Sequence, residues 1–309
     1  MQPAAWRGGC QCGTGMNLDI ERIGMLDTAL GECPLWHPAE QRLWLLDCRA
    51  GALHTLDPAD GATTTRHVPA PAGSFAFNAD GRLVVALKEE VGLLDPATGE
   101  LTVLGRIGDS HPNLRLNDGT ALPDGSFLVG TMHTQRAEGE APLGGLYRLA
   151  PDGAFGCVDT GYGVTNGPRV SPLDGRLYVC DSSVRRIDSY ALAPDGSLAE
   201  RRPFVHTDDL GSAPDGCVFD TEGGLWTALV HAGALVRFAP DTRVTHRIEL
   251  PLTHPAALCF GGPELDEIYV TSIRDSGRLR GDGPLDGAVL RVRGVGMRGL
   301  PSPTCRIAG

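Results

Sequence analysis

Short apolar runs alternate with polar turns along nearly the whole chain, and none keeps a helical period over an ordinary helix length. Six segments share one pattern: WHPAEQRLWLL from Trp36, FNADGRLVVAL from Phe77, LPDGSFLVGTM from Leu122, VSPLDGRLYVC from Val170, FDTEGGLWTAL from Phe219 and FGGPELDEIYV from Phe260. Each gives a turn rich in Asp, Glu or Gly, an apolar strand, a polar turn and a second strand. The turn centres fall near residues 39, 80, 124, 174, 222 and 265, about 41 to 50 residues apart. Strands this short at this period predict propeller blades. The expected fold class is all-β, a six-bladed β-propeller with four-stranded blades. Residues 17–26 alternate ahead of the first blade and have no blade of their own. They are expected to complete the last blade and close the ring, leaving no edge free. The propeller should occupy 17–309 as one domain. Residues 1–16 show no periodicity and no signal-like apolar core, and are expected to form a disordered N-terminal extension.

The repeats differ at one informative slot. Eight residues before the turn glycine Gly223 stands Asp215; eight before Gly125 stands Asn117; eight before Gly81 stands Gly73; eight before Glu40 stands Glu32. Asn166 stands nine before Gly175, because SPLDG is one residue longer than LPDG. In the sixth repeat the slot falls at Pro255 or Ala256. Each slot enters an innermost strand, and innermost strands line a propeller's channel. Glu32, Asn117, Asn166 and Asp215 are therefore expected to converge at one mouth. Glu32, Asn166 and Asp215 are hard oxygen donors, suited to calcium, magnesium or manganese with waters completing the shell. No histidine occupies a slot, so the ordinary zinc constellations are absent, although zinc and iron(II) stay open. One divalent metal ion is the expected cofactor. A lone Asp-Gly is ordinarily a turn dipeptide, as at Pro123-Asp124-Gly125. Three oxygen donors in equivalent slots favour ligation over that reading.

Composition narrows the partners. The 309 residues carry 27 Lys plus Arg against 38 Asp plus Glu, a net charge of −11, which argues against a phosphate backbone as ligand. Gly (42) and Pro (23) are spread evenly, as punctuation between many short strands requires. No apolar run reaches membrane-spanning length, and a soluble cytoplasmic protein, monomeric or weakly homo-oligomeric, is expected. The nine cysteines are an odd number, and Cys48, Cys157, Cys180, Cys217 and Cys259 lie in apolar strand patterns. They are expected to be reduced, buried thiols. Cys10 and Cys12 read as a spare pair in the tail. Trp36, Trp44 and Trp226 are expected in the core, and His111, His231 and His254 in loops near the mouth.

From about residue 18 to 301 the chain resembles the SMP-30/gluconolactonase/luciferin-regenerating-enzyme-like sugar lactonases, which include regucalcin. The resemblance is carried by LGECPLW at 30–36, RLNDG at 115–119, GTM at 130–132, TNGPRVSP at 165–172 with LYVCDS after it, and APDG at 213–216 with FDTEGGLW after it. It implies a six-bladed propeller with one metal at the channel mouth, held by Glu32, Asn166 and Asp215, with Asp215 also the catalytic acid/base. It places Arg115 and Asn117 at substrate-binding positions. Some relatives carry a sugar-contacting acid a few residues after GTM; His133, Thr134 and Gln135 stand nearest here, and Gln135 is taken as substrate-binding. Arg169 stands where a small or apolar residue is more usual. The implied function is metal-dependent opening of a sugar lactone, such as glucono-, arabino- or xylonolactone, to the aldonic acid. The metal would polarise the carbonyl while Asp215 takes a proton from water. The alternatives are a related hydrolase of other esters or phosphotriesters, and a non-enzymatic calcium-binding propeller.

Overall fold

The computed structural model describes residues 7–11, 17–108 and 111–309, the first stretch as backbone alone. Six antiparallel sheets form a ring. Blade one runs outward as Gly31–His37, Arg42–Asp47, Ala52–Leu56 and Thr63–His67. Blades two to five repeat this meander over 74–106, 114–162, 165–206 and 214–249. Burial falls from inside outward: Ala52–Leu56 is buried throughout and Thr63–His67 exposed throughout. The apolar residues fill the seams between blades, where Trp36 stacks on Tyr269 of blade six at 5.4 Å. Trp36, Trp44 and Trp226 are all buried, as expected.

Blade six begins with Pro255–Gly261, Glu267–Ser272 and Leu290–Arg293, and Asn17–Arg22 adds the next strand. Leu18 and Ile20 bury their side chains there, and Asp19 pairs with Arg293. The N-terminal strand thus closes the ring. Arg7–Gln11 pairs antiparallel with it as a fifth strand, from Arg7 opposite Glu21 to Gln11 opposite Asn17. The expectation of a disordered extension over 1–16 is corrected for these five residues. An outer strand offers free N–H and C=O groups, and backbone pairing with them needs no apolar alternation. The remainder of that stretch, with the side chains of Cys10 and Cys12, lies outside the described residues. Among the described residues no helix is long and apolar enough to cross a membrane.

Five of the six inner strands carry a one-residue irregularity at the slot. In blade one Glu32 faces Leu46 while Leu35 faces Trp44, so three steps on the inner strand match two on its neighbour. The same shift falls between Leu116 and Gly119, Asn166 and Arg169, Pro214 and Cys217, and Pro255 and Leu258. A bulge of this kind bends the strand and re-aims its side chains. Blade two, whose slot holds Gly73, pairs regularly from Ser74 onward. At the ring's other face, where the inner strands end, the C-terminal segment crosses the channel. Cys305 N donates to Phe77 O and Arg306 N to Gly125 O, both at 2.8 Å.

Candidate active site

The bulges bring Glu32, Arg115, Asn117, Asn166 and Asp215 to one cavity of about 460 Å³, where the inner strands begin. Asp215-Gly216 is no turn. It lies within the strand Pro214–Phe219, and a Cβ on Gly216 would come within 2.6 Å of Ala257 on the adjacent inner strand. Glycine is needed there for close approach. Gly167, after Asn166, is needed for its backbone as well, with φ at +54°.

The cavity floor is acidic. Asp215 is buried, and its Oδ1 has no hydrogen-bond partner among the described residues. Burial, then the charge of Asp118, pushes the Asp215 carboxyl well above its ordinary range, against Gly216 N–H and Arg115. Burial also raises Glu32, and Asp215 and Asp118 add to it. Asp118 is committed to structure: it accepts from Gly119 N at 2.8 Å and from Gly167 N at 2.9 Å, bracing blade three to blade four. Arg115 is the cation facing these acids. Burial draws its pKa down while Cys48, Glu32 and Asp215 oppose that shift. Its guanidinium donates to Leu116 O at 3.0 Å and leans on Met132 Sδ at 3.3 Å.

The two asparagines form a directed chain. Asn117 Nδ2 donates to Thr165 O at 2.8 Å and to Asn166 Oδ1 at 2.7 Å. A backbone carbonyl can only accept, so the Asn117 amide has one orientation, and its free atom toward the cavity is Oδ1. Asn166 Nδ2 donates to Ser182 Oγ at 2.9 Å, and Ser182 donates on to Pro214 O at 2.6 Å. Asn166 Oδ1 is thereby held as an oxygen donor to the cavity.

Other residues named from the sequence fall differently. Gln135 is not among the residues lining the cavity; its side chain is exposed, and among the described residues its carbonyl alone is engaged, by Asn113 Nδ2 at 3.3 Å. The strand ends at His133 and the chain turns away there. His133 and Arg136 line the cavity instead, and His133 is buried with both ring nitrogens lacking a hydrogen bond. His231 also lines it, with His254 stacked edge-on at 6.2 Å behind it and His111 packed on His133. Arg169 points into a separate cavity of about 280 Å³ beneath the bulges, closed by 300–303. Of the strand cysteines, Cys157 is exposed rather than buried, since it sits on the outermost strand of blade three. Cys48, Cys180, Cys217 and Cys259 are buried and unbridged.

Among the described residues no three His, Cys, Asp or Glu side chains gather as a metal cluster. The donor set here is two carboxylates and an amide oxygen, which suits a hard divalent cation. Two raised carboxyls, Asp215 adding its charge to the shift of Glu32 and carrying an unpartnered buried oxygen, fit such an ion.

Known proteins share this arrangement of strands. The model of the SMP-30/gluconolactonase/LRE-like region matches residues 30–274. The chain is 34% identical over 295 residues to the 6-deoxy-6-sulfogluconolactonase of Pseudomonas putida, covering 93% of this chain and 99% of that one. It is 31% identical over 262 residues to a pentonolactonase of Haloferax volcanii, covering 84% and 87%. It superimposes with a TM-score of 0.82 and 28% identity on a calcium-binding protein, regucalcin, of Agrobacterium tumefaciens, covering 93% and 98%. The family match spans every slot residue from Glu32 to Asp215, and the chain belongs to the SMP-30/gluconolactonase/LRE-like family.

Proposed function

We propose that this protein is a divalent-metal-dependent carboxylic-ester hydrolase that opens the ring of a five- or six-carbon sugar lactone to the aldonic acid. The observation that carries the reading is the convergence of Glu32, Asn166 and Asp215, from three blades, on one cavity that also holds Arg115 and Asn117. Relatives named for sulfogluconolactone and pentonolactone hydrolysis support the substrate class.

A cation held by Glu32, Asn166 and Asp215 would supply Lewis acidity toward the lactone carbonyl. The chain's own groups do the rest. Asp215 carries a buried oxygen without a partner and a raised pKa, as a general base in water-poor surroundings requires. It takes a proton from water as the water oxygen bonds to the carbonyl carbon. It returns that proton to the ring oxygen as the ring C–O bond breaks. Arg115 donates to substrate hydroxyls, and Asn117 Oδ1 accepts from one, since both Asn117 amide hydrogens are engaged.

A pH-indicator screen of aldonolactones tests this, with chelated protein and protein reloaded with single metals. Lactone turnover that vanishes on chelation and returns with a divalent ion is expected. Turnover of phosphotriesters without lactones, or full lactonase activity in metal-free protein, would sink the reading.

A further inference from the structure

Three arginines line the candidate active-site cavity, at two depths. Arg115 is half-buried near Glu32 and Asp215, whereas Arg136 and Arg278 are exposed at the rim. Arg136 follows the second strand of blade three and lies against Gly163, where an added Cβ would come within 2.9 Å of its Nη1. Arg278 sits between Glu267–Ser272 and Leu290–Arg293 of blade six. Blades three and six stand opposite one another in a ring of six, so the two cations face the mouth from both sides.

Neither has a carboxylate partner among the described residues. The chain as a whole is acidic, and its arginines mostly pair: Arg49 with Asp275, Arg148 with Asp124, Arg237 with Asp220, Arg291 with Glu21. Glu140, four residues from Arg136, is turned to Ala137 N at 2.9 Å. Two uncompensated guanidiniums across one mouth offer forked donors for an oxyanion. On the lactonase reading Glu32 and Asp215 hold the cation that draws the reacting carbonyl to the floor, so a negative group that reaches Arg136 and Arg278 sits at the opposite end of the ligand.

We propose that the substrate is a lactone bearing an anionic group, sulfonate, phosphate or carboxylate, on the carbon remote from its carbonyl, held at the rim by Arg136 and Arg278. This rests on the lactonase reading. A neutral sugar lactone gives these two residues no charge to meet.

The test compares kcat/KM for glucono-1,5-lactone with its 6-phosphate, 6-sulfonate and 6-carboxylate counterparts. At least one anionic lactone should exceed the neutral one by about tenfold or more, and the advantage should shrink with added salt. Arg136→Ala and Arg278→Ala should each lower kcat/KM for that lactone about tenfold more than for the neutral one, chiefly through KM, with partial rescue by lysine. The three arms identify the anion. A preference for the neutral lactone, or alanine variants that lower both classes by one factor, would overturn the proposal while leaving the lactonase reading intact. Hydrolysis of neither class would overturn the lactonase reading and the proposal with it.

Discussion

Asn117 Nδ2 donates to Asn166 Oδ1 at 2.7 Å, across the seam between blades three and four. A side chain expected to bind substrate is thus also what orients a proposed metal ligand. Truncating it frees the Asn166 amide, whose other restraint is Ser182 Oγ. Loss of such an orienting partner weakens metal affinity by about ten- to hundredfold. Asn117→Ala should therefore lower the affinity of metal-stripped protein for a divalent ion by that factor in calorimetric titration. Its circular dichroism should stay that of the parent. Unchanged affinity would restrict Asn117 to the substrate.

Metal removal has a pH signature with a definite sign. Burial and neighbouring acids raise Glu32 and Asp215 above their ordinary values of 4.5 and 3.8. In metal-free protein the stability they contribute is fully present below those values and is lost as pH rises through the folded-state values. Melting temperature of the stripped protein should fall as pH climbs away from 4. Saturating cation should reverse the trend, since it binds the charged form and adds about 2.7 kcal/mol at a hundred times Kd. Parallel melting curves with and without metal across that pH range would count against both residues as ligands.

Gly216 tests the strand geometry apart from the chemistry. An alanine there meets Ala257 Cα and Cβ at 2.6 Å, and both sit on rigid inner strands. Overpacking of this kind costs about 1–3 kcal/mol. Gly216→Ala should lower the melting temperature by several degrees. Gly156→Ala, on an outer strand with nothing within 4 Å, should leave it unchanged.

Slot counting places Glu32, Asn166 and Asp215 together, and they do line one cavity, because the repeat is physical: each slot lies near the start of an inner strand, at a bulge. Arg136 and Arg278 lie in loops beyond strand ends, where no counterpart in other blades marks them, and Gln135 stands one residue before the chain's return to the cavity. The two-residue alternation places a side chain on a face without saying how far its strand lies from the channel, which is why Cys157 read as buried. The sequence also shows that Asn117 has two donors, but not that Thr165 and Asn166 take both. The strand at Arg7–Gln11 left no pattern because its pairing is made by backbone.

Asp215→Asn separates structure from chemistry. Asn has the size of Asp and keeps one carbonyl oxygen, and the position lies in a strand where neither needs a turn conformation. The parent Oδ1 has no hydrogen-bonding partner to lose, and the raised pKa means that burying the charge already opposes folding. The variant should therefore fold, with a β-rich spectrum like the parent's and a melting temperature in metal-free buffer at least as high. Activity should behave oppositely. Loss of the proposed proton acceptor should cost about a hundredfold to ten-thousandfold, and loss of one of the two proposed anionic ligands should lower metal affinity as well. Lactone turnover measured at saturating metal isolates the first effect. Near-parent turnover there would leave Glu32, the other raised carboxylate of the floor, as the base.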